Sequence, residues 1–176
     1  MDEVIHTNNY QKYIIKDGTV DICWAWHSPG ESIRHIISDC GRLANSEYLH
    51  RHNQVAKIIH QQLALHYRLV EFEVPNYKYV PDPDRSTITD RTIVANKPDI
   101  VVINRLARRT VIIDIAIPHD ENLEKVEKDK QIKYLDLAYR VVDMRLALCE
   151  RIKSLIQKAV LLDTARIVRR FLSLEP

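Results

Sequence analysis

A chain of 176 residues, 45% apolar and 28% charged, has the composition of a globular protein and the length for one domain with a core, alone or with a small appendage. Three glycines exclude a glycine-rich phosphate loop, a formal charge of +2 leaves any nucleic-acid partner to local basic clusters, and no apolar run approaches the roughly 20 residues that cross a bilayer. The odd count of cysteines (Cys23, Cys40 and Cys149) and the acidic opening Met1-Asp2-Glu3 argue against a disulfide framework and a signal peptide, so the expectation is an intracellular chain in a reducing compartment, with no membrane partner and an open oligomeric state.

Residues 1–22 show no strong periodicity and read as a leader or linker. Residues 23–45 gather Cys23, His27, His35 and Cys40 into a short segment. From about 46 to 67 the pattern is helical, with Val55, Ile58, Ile59, Leu63 and Leu65 recurring at three- and four-residue steps. Alternation over 69–74 predicts a strand, and Pro75, Pro81 and Pro83 mark a loop that runs to about Thr89. Two apolar runs follow at about 99–104 and 110–117, joined by the basic turn 105–109 and closed by Pro118. Their near-continuous Ile and Val content predicts strands covered on both faces. A helix is expected over about 122–144 and another over about 145–172, with a break near Asp163. The order helix, strand, loop, hairpin, helix, helix places the chain in the α/β or α+β class.

The chemistry concentrates in the hairpin. Asp99 opens the first apolar run and Asp114 is expected in the middle of the second strand, with fourteen residues between them. A carboxylate among Ile and Val is costly to bury without a cation or hydrogen bonds. Two of them on neighbouring strands suit a hard cation, Mg²⁺ or Mn²⁺, with the backbone carbonyl of Ile115 as a third ligand. On the next helix, at roughly 100° per residue, Leu123, Val126, Lys130, Tyr134, Leu137 and Val141 share a face, so Lys130 is expected to point at the sheet. Lys125 and Lys128 fall on the solvent side and Lys133 flanks the stripe. A lysine beside two aspartates can orient an attacking water or stabilise a phosphate. The competing account is a structural Asp114–Lys130 ion pair.

These residues resemble the restriction-like endonuclease domain, of PD-(D/E)xK type, at the C-terminal end of the polyprotein of certain non-LTR retrotransposons. The resemblance spans about residues 23–143. It is carried by the segment from Cys23 to Cys40, Arg51-His52-Asn53, Lys97-Pro98-Asp99, Asp114-Ile115-Ala116, and Lys130 with Tyr134. It implies a restriction-endonuclease-like core at 46–143 with a short mixed sheet and flanking helices, after a Cys/His knuckle at 23–45 and before a helical C-terminal segment at 144–176. It further implies a Mg²⁺-dependent nick in target DNA that primes reverse transcription, with Asp99 and Asp114 on the metal, Lys130 as catalytic lysine and a nuclear site of action.

The chain departs from that pattern at two points. The family's knuckle carries a second cysteine where this sequence has Trp26, which leaves Cys23, His35 and Cys40 for a zinc ion that wants four ligands, with His27 as a substitute by slipped spacing. The alternative is an apolar cluster of Trp24, Trp26 and the cysteines. In addition, Met144 runs directly into helical sequence where the family has another strand, the pattern of an internally deleted or degenerate copy of a transposable element.

Lys97, Arg105, Arg108 and Arg109 surround the hairpin, with Arg91 just before it, and could hold DNA phosphates or form a solvated turn. His50, His52 and His60 read as a metal-binding set or, with greater weight, as a polar helix face; Arg166, Arg169 and Arg170 form a basic face on the last helix. Three functions follow: a metal-dependent DNA endonuclease domain, a catalytically silent nucleic-acid-binding remnant with DNA or the parent element's RNA as partner, and a helix-rich interaction module.

Overall fold

The computed structural model describes residues 5–80, 98–104, 109–118, 122–133 and 150–173, with the side chains of Asn104 and Arg109 left out. Lys97, Arg105, Arg108, Arg91, Tyr134, Leu137, Val141 and Cys149 lie outside that set. The architecture is α+β, helices with a two-stranded antiparallel sheet among the described residues, where a mixed sheet was expected. Two compact units divide the chain: Met1–Arg51 with Lys158–Pro176, and His52–Gln157.

In the first unit, the stretch read as a leader forms hydrogen-bonded turns over its described residues. Thr7 caps a short helix through its hydroxyl, which accepts from the Tyr10 amide at 3.2 Å. The buried Glu31 accepts from the amides of Asn8 (3.1 Å) and Trp24 (3.0 Å), and Asn9 donates to Asp21 at 3.1 Å. A tight turn over 22–30 is closed by Cys23 N–H to Ser28 O at 2.8 Å and has His27 and Gly30 at positive φ. Wide π-type turns at His35–Asp39 and Ala44–Tyr48 follow.

Helix α1, Leu49–His66, contains neither glycine nor proline. Its first three residues belong to the first unit, where Arg51 is buried and donates to Ile37 O (3.0 Å) and Thr164 Oγ1 (3.1 Å). The core of this unit is Cys23, Ile36, Cys40, Leu43, Ile167 and Phe171, with Trp24 and Tyr48 packed against it.

In the second unit, α1 buries Val55, Ile58, Ile59, Leu63 and Ala64, the stripe anticipated from its spacing apart from Leu65. The helix ends in a Schellman motif: Leu69 N–H returns to Ala64 O (2.8 Å) and Arg68 N–H to Leu65 O (3.0 Å), with Arg68 left-handed at φ 54°. That ending overturns the strand expected at 69–74. The Leu69 amide is spent on the helix, the Val74 carbonyl on Gln61 Nε2 (2.9 Å), and Leu69 and Phe72 are 76% and 69% exposed, so among the described residues the alternation meets no partner strand.

Strands β1, Ile100–Asn104, and β2, Arg109–Ile113, pair antiparallel, with Ile100 opposite Ile113 and Val102 opposite Val111. Ile100 and Val111 are buried, whereas Ile103 is 62% exposed. Coverage on both faces is therefore corrected: towards its turn the hairpin shows one face to solvent. Asp114 lies just past the end of β2 and not in its middle, because the ladder stops at the Ile100–Ile113 pair.

Helix α2, Leu123–Lys133, carries Lys130, and helix α3, Glu150–Leu172, runs without the break expected near Asp163. Of α3's apolar residues, Ile152, Ile167 and Phe171 are buried while Leu161 and Leu162 are exposed. No helix among the described residues is long and apolar enough to cross a membrane. Phe171, 1% exposed with its ring 5.2 Å from that of Trp24, anchors the first core. Phe171→Ala should lower the stability of that unit by about 3 kcal/mol and Phe171→Leu by less than half as much, read by urea denaturation with tryptophan fluorescence.

Candidate functional site

Within the second unit, the hairpin ends and α2 bring the predicted acids and lysine to one place. Asp114, its side chain 8% exposed, receives the Lys130 ammonium on Oδ2, and Lys133 stands 4.0 Å from Oδ1. Lys130 also donates to the Ile115 carbonyl at 3.4 Å. The expected inward turn of Lys130 is present, and Lys128 is solvated, paired with Glu124 along the helix. Leu123, assigned to the same face as Lys130, is exposed, since it starts the helix. The Ile115 carbonyl, read from sequence as a metal ligand, thus faces the lysine, while the Ile115 amide donates to Asp99 Oδ2 at 2.5 Å.

Asp99 has a second donor that the sequence reading missed. His52, in the first turns of α1, places Nε2 3.1 Å from the same Oδ2, and its Nδ1 lies 3.2 Å from Asn53 Oδ1. An ionised carboxylate only accepts, so Nε2 carries the proton of that bond. The signal was the Arg51-His52-Asn53 triplet on a helix preceding an isolated aspartate. The three helix histidines do not form one metal site: His50 faces Asp163 (3.5 Å) and Arg166 (2.8 Å), and His60 bonds the Tyr79 hydroxyl (2.6 Å).

Burial works to raise the Asp99 carboxyl, but the His52 and Ile115 hydrogen bonds outweigh it and leave it below the usual carboxylate range. The bond to Asp99 raises His52 above its ordinary value, against desolvation. The contribution of His52 is full below its unfolded pKa near 6.5 and is lost as pH rises through the raised folded value; that of Asp99 is full above its unfolded pKa near 4 and is lost as pH falls through the lowered folded value. Unfolding midpoints in urea across pH should therefore decline on both sides of a plateau between those limits, and His52→Gln should flatten the alkaline decline.

In the first unit, Cys23, His35 and Cys40 form a buried group of potential metal ligands, with one donor atom from each within 4.8 Å of the others. The two sulfurs are 3.9 Å apart. Two thiolates at about 2.3 Å on a tetrahedral zinc would stand about 3.8 Å apart. His35 Nε2 is buried without a hydrogen-bond partner among the described residues, and burial holds the ring below its ordinary pKa, in the neutral, ligating form. Burial pushes the Cys23 thiol up to about 11, so without a cation it stays protonated at neutral pH.

Among the described residues the group stops at three. His27 is exposed and outside it, which corrects the expected substitution. Trp26, 53% exposed, lays its indole on Gly41, where a Cβ would come within 2.5 Å of the ring. The expected apolar cluster is therefore half present: Trp24 packs with the cysteines and Trp26 does not. Cobalt(II) added to the reduced protein should give thiolate charge-transfer and tetrahedral d–d bands that Cys23→Ser and Cys40→Ser abolish; an unchanged spectrum in both variants would exclude the pair as ligands.

Of the basic residues expected to hold DNA, Lys97, Arg105 and Arg108 lie outside the described residues, and Arg109 pairs with Asn104 through its backbone. On α3, Arg166 is engaged with Glu47 at 3.4 Å. Comparison with family models, with curated proteins and with solved structures returns no match.

Proposed function

We propose that the chain is a metal-dependent DNA endonuclease domain with a restriction-endonuclease-like core, descended from a non-LTR retrotransposon. The observation that carries this reading is the convergence of Asp99, Asp114 and Lys130, linked through the two backbone groups of Ile115. Three ionisable groups gathered at the end of a short apolar hairpin are costly to keep there, and such clusters mark functional sites more often than chance.

The donor set fits a hard divalent cation. Both acids offer carboxylate oxygens, and Asp99 Oδ1 has no hydrogen bond among the described residues. Mg²⁺ or Mn²⁺ bound there would lower the pKa of a water and neutralise charge on the phosphodiester. Asp99 and Asp114 would hold the ion. The Lys130 ammonium would move from Asp114 towards the attacking water or the phosphate oxygen that gains charge, which its long stem and partly exposed position allow. Water oxygen bonds to phosphorus as the bond to the leaving sugar oxygen breaks, giving a nick. Lys97, Arg105, Arg108 and Arg109 would grip flanking phosphates without reading sequence. Zinc on Cys23, His35 and Cys40 would staple the first unit, and RNA of the parent element and a nuclear site belong to the same reading.

A second reading, a nucleic-acid-binding remnant without turnover, is favoured by the helical sequence that follows Met144 where the family pattern has a strand. Nicking of supercoiled plasmid separates the two. The endonuclease should nick with Mg²⁺ or Mn²⁺, stop with EDTA, and lose at least about 100-fold in rate on Asp114→Asn, while plasmid binding persists. Folded wild-type protein that binds but does not nick would leave the remnant.

A further inference from the structure

We infer that His52 is a positioning residue of the metal site: its imidazole ties up one oxygen of Asp99 so that the other is presented as a single-oxygen ligand for a divalent cation. The inference rests on the endonuclease reading above and deepens it.

Three features of the geometry lead there. First, both donors to Asp99 converge on one atom. His52 Nε2 at 3.1 Å and the Ile115 amide at 2.5 Å both take Oδ2, and Oδ1 is bonded by neither. The two donors take the two lone-pair sites of Oδ2, and those of Oδ1 accept no hydrogen bond among the described residues. Loading one oxygen turns a symmetric group into one with a single open face. Second, each ring nitrogen faces an oxygen, so the ring is held at both ends when both nitrogens carry a proton. Asn53 Oδ1 lies 3.2 Å from Nδ1, and the residue sits on α1, an 18-residue helix, so its aim does not depend on a loop. Third, the pair is partly shielded: the His52 and Asp99 side chains are 26% and 23% exposed, so water competes less freely for the bond between them while the carboxylate keeps some access to solvent.

Ligating carboxylates are commonly hydrogen-bonded by an outer partner whose loss weakens the metal site about 10- to 100-fold. Loss of His52 should let Asp99 rotate about χ2, presenting either oxygen and adding an ordering cost to every binding event.

The test is Mn²⁺ affinity of the full chain at constant pH, read by electron paramagnetic resonance of the free ion, with thermal unfolding run on each variant. His52→Leu should bind about tenfold more weakly than wild type, and His52→Gln, which keeps a side-chain N–H donor, should recover to within about threefold. If His52→Leu fails to fold, His52→Asn, whose amide is too short to span the gap, takes its place with the same expectation. Wild-type affinity in the donor-less variant, or equal loss in both variants, overturns the positioning role while leaving the metal site standing. Absence of Mn²⁺ binding by wild type, or unchanged binding by Asp114→Asn, removes the metal site itself and the inference with it.

Discussion

Two carboxylates at the ends of an apolar hairpin set the terms for the second unit. Asp114 is nearly withdrawn from water, and an ionised carboxylate there would cost several kcal/mol without compensation. Compensation comes from Lys130 on Asp114 and from His52 on Asp99, with the backbone of Ile115 joining the two arrangements through its N–H and its C=O. Helix α1, the hairpin and α2 are thereby drawn to one point. A site built this way sets each acid against a partner that can carry positive charge, Asp114 against Lys130 and Asp99 against His52. Lys130 reaches Asp114 on a long stem with its head partly exposed, whereas His52 has an oxygen facing each ring nitrogen.

The first unit solves a different problem, that of ordering a short segment poor in regular structure. Its turns are held by buried polar groups, Glu31 on two amides and Arg51 on a carbonyl and a hydroxyl. The cysteines serve as small apolar side chains in its core while remaining close enough for one tetrahedral ion. Trp26 does not join that core. Its indole lies on Gly41, where the absent Cβ leaves room for the ring.

Much of this was legible from residue order. The helix around Val55–Leu63, the paired runs at 100–104 and 109–113, and the inward lysine of α2 all follow from periodicity. Other readings failed for identifiable reasons. The segment 69–74 alternates like a strand, but a helix-ending motif with Arg68 left-handed takes its first amide. Asp114 sits in an apolar run, but cross-strand pairing with Ile100 ends the ladder one residue earlier. Val101 and Ile103 read like fully covered strand residues, yet coverage depends on what packs above the sheet, which no local pattern encodes.

The sequence by itself determined the class of the chain, its longer elements and the identity of the acids, the lysine and the cysteine–histidine group. Those depend on side-chain period and on residue chemistry, both written locally. Tertiary structure decided which of these groups meet. It separated His50, His52 and His60, three near neighbours on one helix, and gave each a different partner. It brought His52 to Asp99 across 47 positions, and it turned the amide of Ile115 to one acid and its carbonyl to the lysine that holds the other. Such contacts are set by the direction in which packed elements aim their polar atoms, and that direction exists only once the apolar faces have been buried.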